Sequence, residues 1–209
     1  MPNKDNIVVI DDFYNEDKYM TLVNALHSHK FSYFWGDQHG SHYWNSQLEE
    51  DGPVKDASVE LWNDFRQKFT KHGNLVGTYI NGQTFGLEPG PHYDYGQPDG
   101  ITIINYITDT WNLTWGGETL IYDQYAYDDK TLKDVNSLLY SPVTVDAAVL
   151  PAYNRILVFP AHQLHMVKPI SRFFQGIRFT LMFKLQGITM EELMSGYMAV
   201  DTNKIHIGN

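Results

Sequence analysis

Residues 89–96 read Pro89-Gly-Pro-His-Tyr-Asp-Tyr-Gly96 and place His92 two positions before Asp94, between runs that read as strands. In an extended chain, residues i and i+2 point to the same face. The imidazole and the carboxylate can therefore converge on one point, and a metal ion suits that point. A His-x-Asp arises by chance about 0.7 times in a chain of this composition. A turn with a polar tip accounts for the same eight residues, so the decision rests on the rest of the chain.

A metal centre needs a third ligand, and the second histidine-bearing segment supplies it: Ile156-Leu-Val-Phe-Pro-Ala-His-Gln-Leu-His-Met-Val-Lys-Pro-Ile170. An apolar strand runs into Phe159-Pro160, a short bend follows, and His165 opens another strand. Two histidines and one carboxylate on one side of a cavity form the facial arrangement that suits non-haem Fe(II), with positions left open for other ligands. His162 competes for the third place. It lies in the bend after Pro160, whereas His165 sits at a strand start where its direction is fixed, and His165 is the preferred ligand.

Composition narrows the remaining classes. The chain has 209 residues, of which 43% are hydrophobic and 19% charged, with 14 Tyr, 11 Phe and 5 Trp. That suffices to bury one sizeable core without covalent staples. There is no cysteine, which excludes disulfides, zinc ribbons, iron–sulfur clusters and thiol catalysis. A formal net charge of −10 disfavours nucleic acid as a partner. The N-terminal residues carry no secretory pattern and no apolar run reaches membrane-spanning length, so a soluble, cytoplasmic protein without a membrane partner is expected.

The order of elements points to a mainly β fold with N-terminal helices. Residues 7–10 read as a short strand. Tyr19, Leu22, Val23 and Leu26 recur at helical spacing, giving a helix over 15–28 that Asn15 or Asp12 can cap. A second helix is expected over 56–71. Between them, residues 32–53 read as a long aromatic loop containing Phe34, Trp35, Tyr43 and Trp44; it is a candidate lid or substrate surface, or core packing. His39 and His42 in this loop lack further ligands nearby and are read as loop residues. After residue 73 the pattern changes to short β-branched and aromatic runs over 75–81, 101–107, 118–122, 144–150, 155–159, 164–167 and 177–185, separated by Gly, Pro, Asn and Asp. A short helix from Thr189 closes the chain. Helices first and then many strands suggest a jelly roll buttressed by helices. The expectation is one domain over 1–209: helical support over 1–73, a jelly-roll core over 74–186, and a C-terminal helix and tail over 187–209.

Five pieces of sequence, in order, resemble the 2-oxoglutarate- and Fe(II)-dependent dioxygenases of the prolyl 4-hydroxylase-like branch. They are His92-x-Asp94; Trp115-Gly-Gly-Glu-Thr-Leu-Ile-Tyr-Asp123; Leu157-Val-Phe-Pro160; His165-Met-Val-Lys-Pro169; and the strand Ile177-Arg-Phe-Thr-Leu-Met-Phe183 with its basic residue. The resemblance covers most of the chain and is densest between Tyr79 and Leu185. It implies a double-stranded β-helix, a cupin-like jelly roll, with Fe(II) on His92, Asp94 and His165. It further implies 2-oxoglutarate and O₂ as co-substrates, and ascorbate as a reductant.

On this reading Arg178 pairs with the far carboxylate of 2-oxoglutarate through a bidentate, charge-assisted contact. Thr180, two residues on, shares its face. Arg172 is the runner-up, in a segment that reads as a loop. Tyr106 and Tyr79 resemble the family's co-substrate tyrosines, although each can equally be a core tyrosine satisfied by a buried partner. Trp35, Tyr43 and Trp44 are the candidate substrate contacts. Gly116-Gly117 reads as a turn needing positive φ that delivers the following strand. The activity implied is hydroxylation of prolyl residues in a peptide or protein, with release of succinate and CO₂. A free amino acid or another small molecule is the alternative substrate. A non-catalytic cupin-like binding module and a non-oxidative cupin enzyme are the rivals from other classes.

Overall fold

A computed structural model of the chain describes residues 6–35, 42–69, 71–87, 89–126, 143–197 and 205–207. Eleven strands are described: β1 (Val8–Ile10), β2 (Ser32–Trp35), β3 (His42–Ser46), β4 (Asn74–Gln83), β5 (Gly100–Ile107), β6 (Thr119–Tyr125), β7 (Val145–Val149), β8 (Ile156–Pro160), β9 (Gln163–Val167), β10 (Arg178–Gln186) and β11 (Ile205–Ile207). The helices are α1 (Glu16–Leu26), α2 (Pro53–Lys68) and α3 (Met190–Tyr197). Eight strands form one sheet in the order β11-β1-β8-β5-β10-β4-β3-β2, and β7-β6-β9 form a second. The pairings within both sheets are antiparallel. Two antiparallel sheets enclosing one interior make the jelly-roll core expected from the sequence. No described helix is long and apolar enough to cross a membrane.

Local sequence explains the helix ends. The Asn15 side chain accepts a hydrogen bond from the Lys18 amide at 3.3 Å, capping α1, and Tyr19, Leu22 and Leu26 form its buried stripe. α2 begins at Pro53, three residues before the expected start, because proline at the first helical position has its φ preset and needs no amide partner. It ends at Lys68 rather than residue 71. Thr189 and Glu192 form a reciprocal capping box before α3: Glu192 Oε2 accepts from the Thr189 amide at 2.8 Å, and Thr189 Oγ1 accepts from the Glu192 amide at 3.3 Å.

Residues 32–53 are not a long loop. Ser32–Trp35 and His42–Ser46 pair as an antiparallel ribbon, and β3 docks on β4 through Trp44↔Gly82, Asn45↔Asn81 and Ser46↔Ile80. Aromatic residues favour the pleated surface, and here they extend the sheet. The sheet therefore draws three strands from the region expected to be helical support, and β11 from the expected C-terminal tail pairs with β1.

Strand β10 separates the two layers of the core. Leu181, Phe183 and Leu185 face the helices, where Phe183 meets Trp62 at 5.3 Å between ring centroids. Met182 packs in the other layer with Ile104, Tyr106, Ile121, Leu157 and Phe159. By strand alternation Arg178, Thr180 and Lys184 share that inner face.

Asn154 ties the N-terminal segment to this core. It is buried at φ 50°. Its side chain accepts from the Tyr14 amide at 3.0 Å and donates to the Tyr14 carbonyl at 2.8 Å. The Tyr14 hydroxyl reaches Asn105 on β5 at 2.5 Å, and Asn105 reaches the Leu181 carbonyl at 2.8 Å. Asn154→Ala is expected to lower stability in urea unfolding by about 2–4 kcal/mol, since two buried groups lose partners and alanine is strained at positive φ. Asn154→Gly should lose less. Equal losses would show that the backbone conformation carries no strain, and a loss below about 1 kcal/mol for alanine would remove the latch role.

Candidate metal centre

The two candidate histidines are held opposite each other by backbone alone. The His92 amide donates to the His165 carbonyl at 2.9 Å and the His165 amide donates back at 3.0 Å, an antiparallel bridge outside the named strands. Their rings lie 4.3 Å apart. Next to this bridge the Asp94 amide donates to Ala161 O at 2.9 Å, in the bend that follows β8. The three ligand atoms of His92, Asp94 and His165 all lie within 4.8 Å of one another.

Each ring is also oriented from behind. His92 Nδ1 lies 3.0 Å from Gly90 O and His165 Nδ1 lies 2.9 Å from Gln163 O. A carbonyl can only accept, so both Nδ1 atoms carry a proton, and both Nε2 atoms face Asp94. Those Nε2 atoms sit 3.6 and 3.3 Å from its carboxylate oxygens. Such support behind ligating imidazoles is the usual partner of a metal site. Desolvation, and then the neighbouring His165, push the His92 imidazole down to about 4, although 40% of its side-chain surface remains exposed. Two imidazoles presenting Nε2 and one carboxylate fit a divalent first-row metal.

Asp94 has two further partners absent from the sequence reading. Thr102 Oγ1 donates to Asp94 Oδ2 at 2.5 Å, and the Lys184 ammonium pairs with the same oxygen. Lys184 Nζ also reaches Thr102 Oγ1 at 3.2 Å. Thr102 and Lys184 are directly opposite on β5 and β10. Desolvation alone would raise the Asp94 carboxyl; Lys184 above all, and then His165, override it and hold the group well below the usual range. Burial lowers the Lys184 ammonium, and Asp94 pushes back. The signal for Lys184 was present in the sequence, since counting by twos from Arg178 reaches it.

Arg178 is 2% exposed and lies at the other end of this face. Its Nη1 donates to Gln83 Oε1 at 2.8 Å and its Nη2 reaches Thr119 Oγ1 at 3.5 Å. Nε is buried with no hydrogen-bond partner among the described residues. The guanidinium carbon stands 5.3 Å from the Tyr106 ring centroid, and the Tyr106 hydroxyl donates to Thr119 Oγ1 at 2.8 Å. Burial pushes the guanidinium down, against the pull of Tyr106 and Glu118. Gly117, at φ 73°, allows this close packing, since a Cβ there would meet Ile170 at 2.7 Å and Arg178 Cδ at 3.2 Å. The Gly-Gly pair thus makes the positive-φ turn and delivers Thr119 to Arg178. A buried guanidinium with an unfilled donor fits a carboxylate ligand.

Other sequence candidates fall on both sides of the site. Thr180 is buried opposite Tyr106 on β5 and Asn81 on β4. Tyr79 lines a cleft of about 280 Å³ beside Asp94, Tyr95 and Lys184. Burial, and then Asp94, raise its hydroxyl well above the usual value, keeping it a neutral donor. Tyr43 shares a β3 face with Asn45, which donates to Asn81 at 2.8 Å. Trp44 is on the opposite face, tilted against Tyr33 with ring centroids 5.1 Å apart, and is not brought to the cleft. The side chain of Trp35 and all of His39 lie outside the described residues. His162 sits in the bend with its ring 5.2 Å from Tyr125, outside the His92–Asp94–His165 cluster. Arg172 is exposed over Phe173 at 5.3 Å.

No protein-family model matches the sequence, and no curated protein matches it. Solved structures do. A 2OG-Fe(II) oxygenase-family oxidoreductase from Burkholderia pseudomallei superposes with a TM-score of 0.61 at 12% identity, over 87% of this chain and 85% of that one. A prolyl hydroxylase from Trichoplax adhaerens, in complex with a hypoxia inducible factor oxygen degradation domain peptide fragment, gives 0.56 at 14% identity, over 95% and 88%. The non-heme alpha ketoglutarate dependent epimerase SnoN from nogalamycin biosynthesis gives 0.57 at 10% identity, over 88% and 77%. The chain therefore has the fold of the 2-oxoglutarate/Fe(II) oxygenases, and within that fold the similarity extends to prolyl hydroxylases.

Removing one donor of a three-ligand set should be felt at the metal. His165→Ala and Asp94→Ala are each expected to weaken Mn(II) binding by about 100-fold or more, read by paramagnetic resonance with circular dichroism unchanged. His162→Ala should stay within about threefold. Comparable losses at 162 and 165 would reassign the third ligand.

Proposed function

We propose that residues 1–209 form one 2-oxoglutarate- and O₂-dependent hydroxylase domain that holds Fe(II) on His92, Asp94 and His165. The observation that carries this reading is the pairing of two features on one interior. Two carbonyl-oriented imidazoles and a carboxylate converge within 4.8 Å, and a buried guanidinium with an unfilled donor lies on the β10 face that also carries Lys184, the partner of Asp94. A metal-binding module without turnover has no use for the second feature.

In this reading the bound iron, with 2-oxoglutarate and O₂, supplies oxidative decarboxylation to succinate and CO₂ coupled to hydroxylation of a C–H bond. The chain's residues bind and orient. Arg178 receives the far carboxylate of 2-oxoglutarate, with its fork held by Gln83 and Thr119. Tyr106 fixes the Thr119 hydroxyl and Thr180 adds a second hydroxyl on that wall. Met182, Leu157 and Phe159 keep the interior dry. Tyr79 offers its hydroxyl at the cleft, with Tyr43 behind it. Ascorbate serves as the external reductant.

For the substrate we favour prolyl residues of a peptide or protein. The support is the resemblance of the five motifs and the likeness of the fold to prolyl hydroxylases. A free amino acid or other small molecule is the second reading, favoured by one observation: the cleft next to Asp94 is only about 280 Å³.

The test is succinate release by the iron-reconstituted protein, with and without proline peptides. Succinate above the iron-free control is expected. Arg178→Met should raise the KM for 2-oxoglutarate about 10- to 100-fold, the loss of a charge-assisted contact, whereas Arg172→Met should leave it unchanged. No binding of 2-oxoglutarate to the metal-loaded protein would overturn the proposal.

A further inference from the structure

Lys184 has no task in the scheme above. Its side chain is 13% exposed, and among the described residues its Nζ has two oxygen partners, Asp94 Oδ2 and Thr102 Oγ1. An ammonium carries three donors. The third is left over in a group that lines the 280 Å³ cleft with Gln47, Tyr79, Tyr95 and Gln186. Among the described residues of that lining, Lys184 is the one cation and Asp94 the one anion.

The charge balance decides what this cleft receives, on the footing of the hydroxylase reading above. In the metal-free protein Asp94 and Lys184 neutralise each other. A divalent ion on the two neutral imidazoles claims the Asp94 charge. The keto-acid end of 2-oxoglutarate contributes one further negative charge there, while its other carboxylate belongs to Arg178. Two positive charges on the metal and one on Lys184 then face two negative charges. One positive charge remains, on a largely buried ammonium whose counter-ion is shared. A buried cation without an anion is strongly unfavourable, and Lys184 lines the cleft, where an incoming anion can meet it. The amides of Gln47 and Gln186 and the hydroxyls of Tyr79 and Tyr95 are neutral and add hydrogen bonds without charge.

We propose that Lys184 is a specificity-determining residue that pairs with a carboxylate of the substrate. The substrate is thereby a carboxylate-bearing molecule: a free amino acid such as proline, or a peptide whose terminal carboxylate lies beside the residue to be hydroxylated. An internal prolyl residue in a chain without a nearby acid does not satisfy Lys184.

The experiment is anaerobic calorimetry on full-length protein loaded with Mn(II) and 2-oxoglutarate, where no turnover occurs. The titrants are the free amino acids and a set of Xaa-Pro dipeptides, each against its neutral amide. At least one acid is expected to bind about 10- to 100-fold more tightly than its amide, as a charge-assisted contact gives. Lys184→Met should erase that ratio and Lys184→Arg should retain most of it, with Mn(II) and 2-oxoglutarate affinities measured in both. Preference for free amino acids or for dipeptides separates the two sources. The proposal is overturned if no acid exceeds its amide in the wild type. It is also overturned if Lys184→Met keeps the ratio, or if that substitution abolishes only metal binding, which would make Lys184 a structural counter-ion of Asp94. Failure of the wild type to bind Mn(II) or 2-oxoglutarate would instead remove the hydroxylase reading and this inference with it.

Discussion

Two reciprocal hydrogen bonds, at 2.9 and 3.0 Å, join the backbones of His92 and His165. The candidate site depends on this bridge more than on any side-chain contact. It brings together segments 73 residues apart, faces one imidazole with the other, and leaves Asp94 to be placed by its own amide on Ala161. Backbone bonds are indifferent to protonation and to a bound ion, so the donor set is assembled before any metal arrives. Preorganisation of this kind keeps the ordering entropy inside the folding reaction, away from the binding step.

Strand β10 performs the second division. One face, through Leu181, Phe183 and Leu185, packs against the helices; the other carries Arg178, Thr180, Met182 and Lys184. A register slip of one residue would exchange the faces and bury both cations against α2. The long pairings of β10 with β4 and β5, from Arg178↔Gln83 to Gln186↔Gly100, oppose that slip. Stability of the helical layer and geometry of the site are therefore coupled through one strand's alternation.

Much of this was legible in the sequence because it rests on periodicity two and on punctuation. His92-x-Asp94, the Phe159-Pro160 strand end and the alternation around Arg178 each carry a local signature, and the structure keeps each in place. The misread region, residues 32–53, has aromatic strand formers whose place in the sheet is set far along the chain: β3 pairs locally with β2 but joins the sheet through β4, some 36 residues away. A single-segment pattern cannot report such pairing. β11 was missed for the same reason, since three residues become a strand only because β1 has a free edge for them. Pro53 moved the α2 start by a local rule that the sequence did contain. Lys184 was also readable, but a lysine two positions beyond an apolar residue near a strand end looks like a surface charge until Asp94 is seen opposite it.

Arg178 and Lys184 are both cations on the inward face of β10, and their chemistry differs. Arg178 is planar, held by Gln83 and Thr119, and offers a fixed fork suited to one carboxylate in one orientation. Lys184 is a point charge on a flexible stem, tied to Asp94 and Thr102, with one donor left over. A rigid fork suits a ligand held in one orientation, and a point charge suits ligands that differ in shape. The His92–Asp94–His165 cluster lies beside the Lys184 end of that face. An anion small enough for the cleft would be drawn to that end, beside Asp94 and away from Arg178.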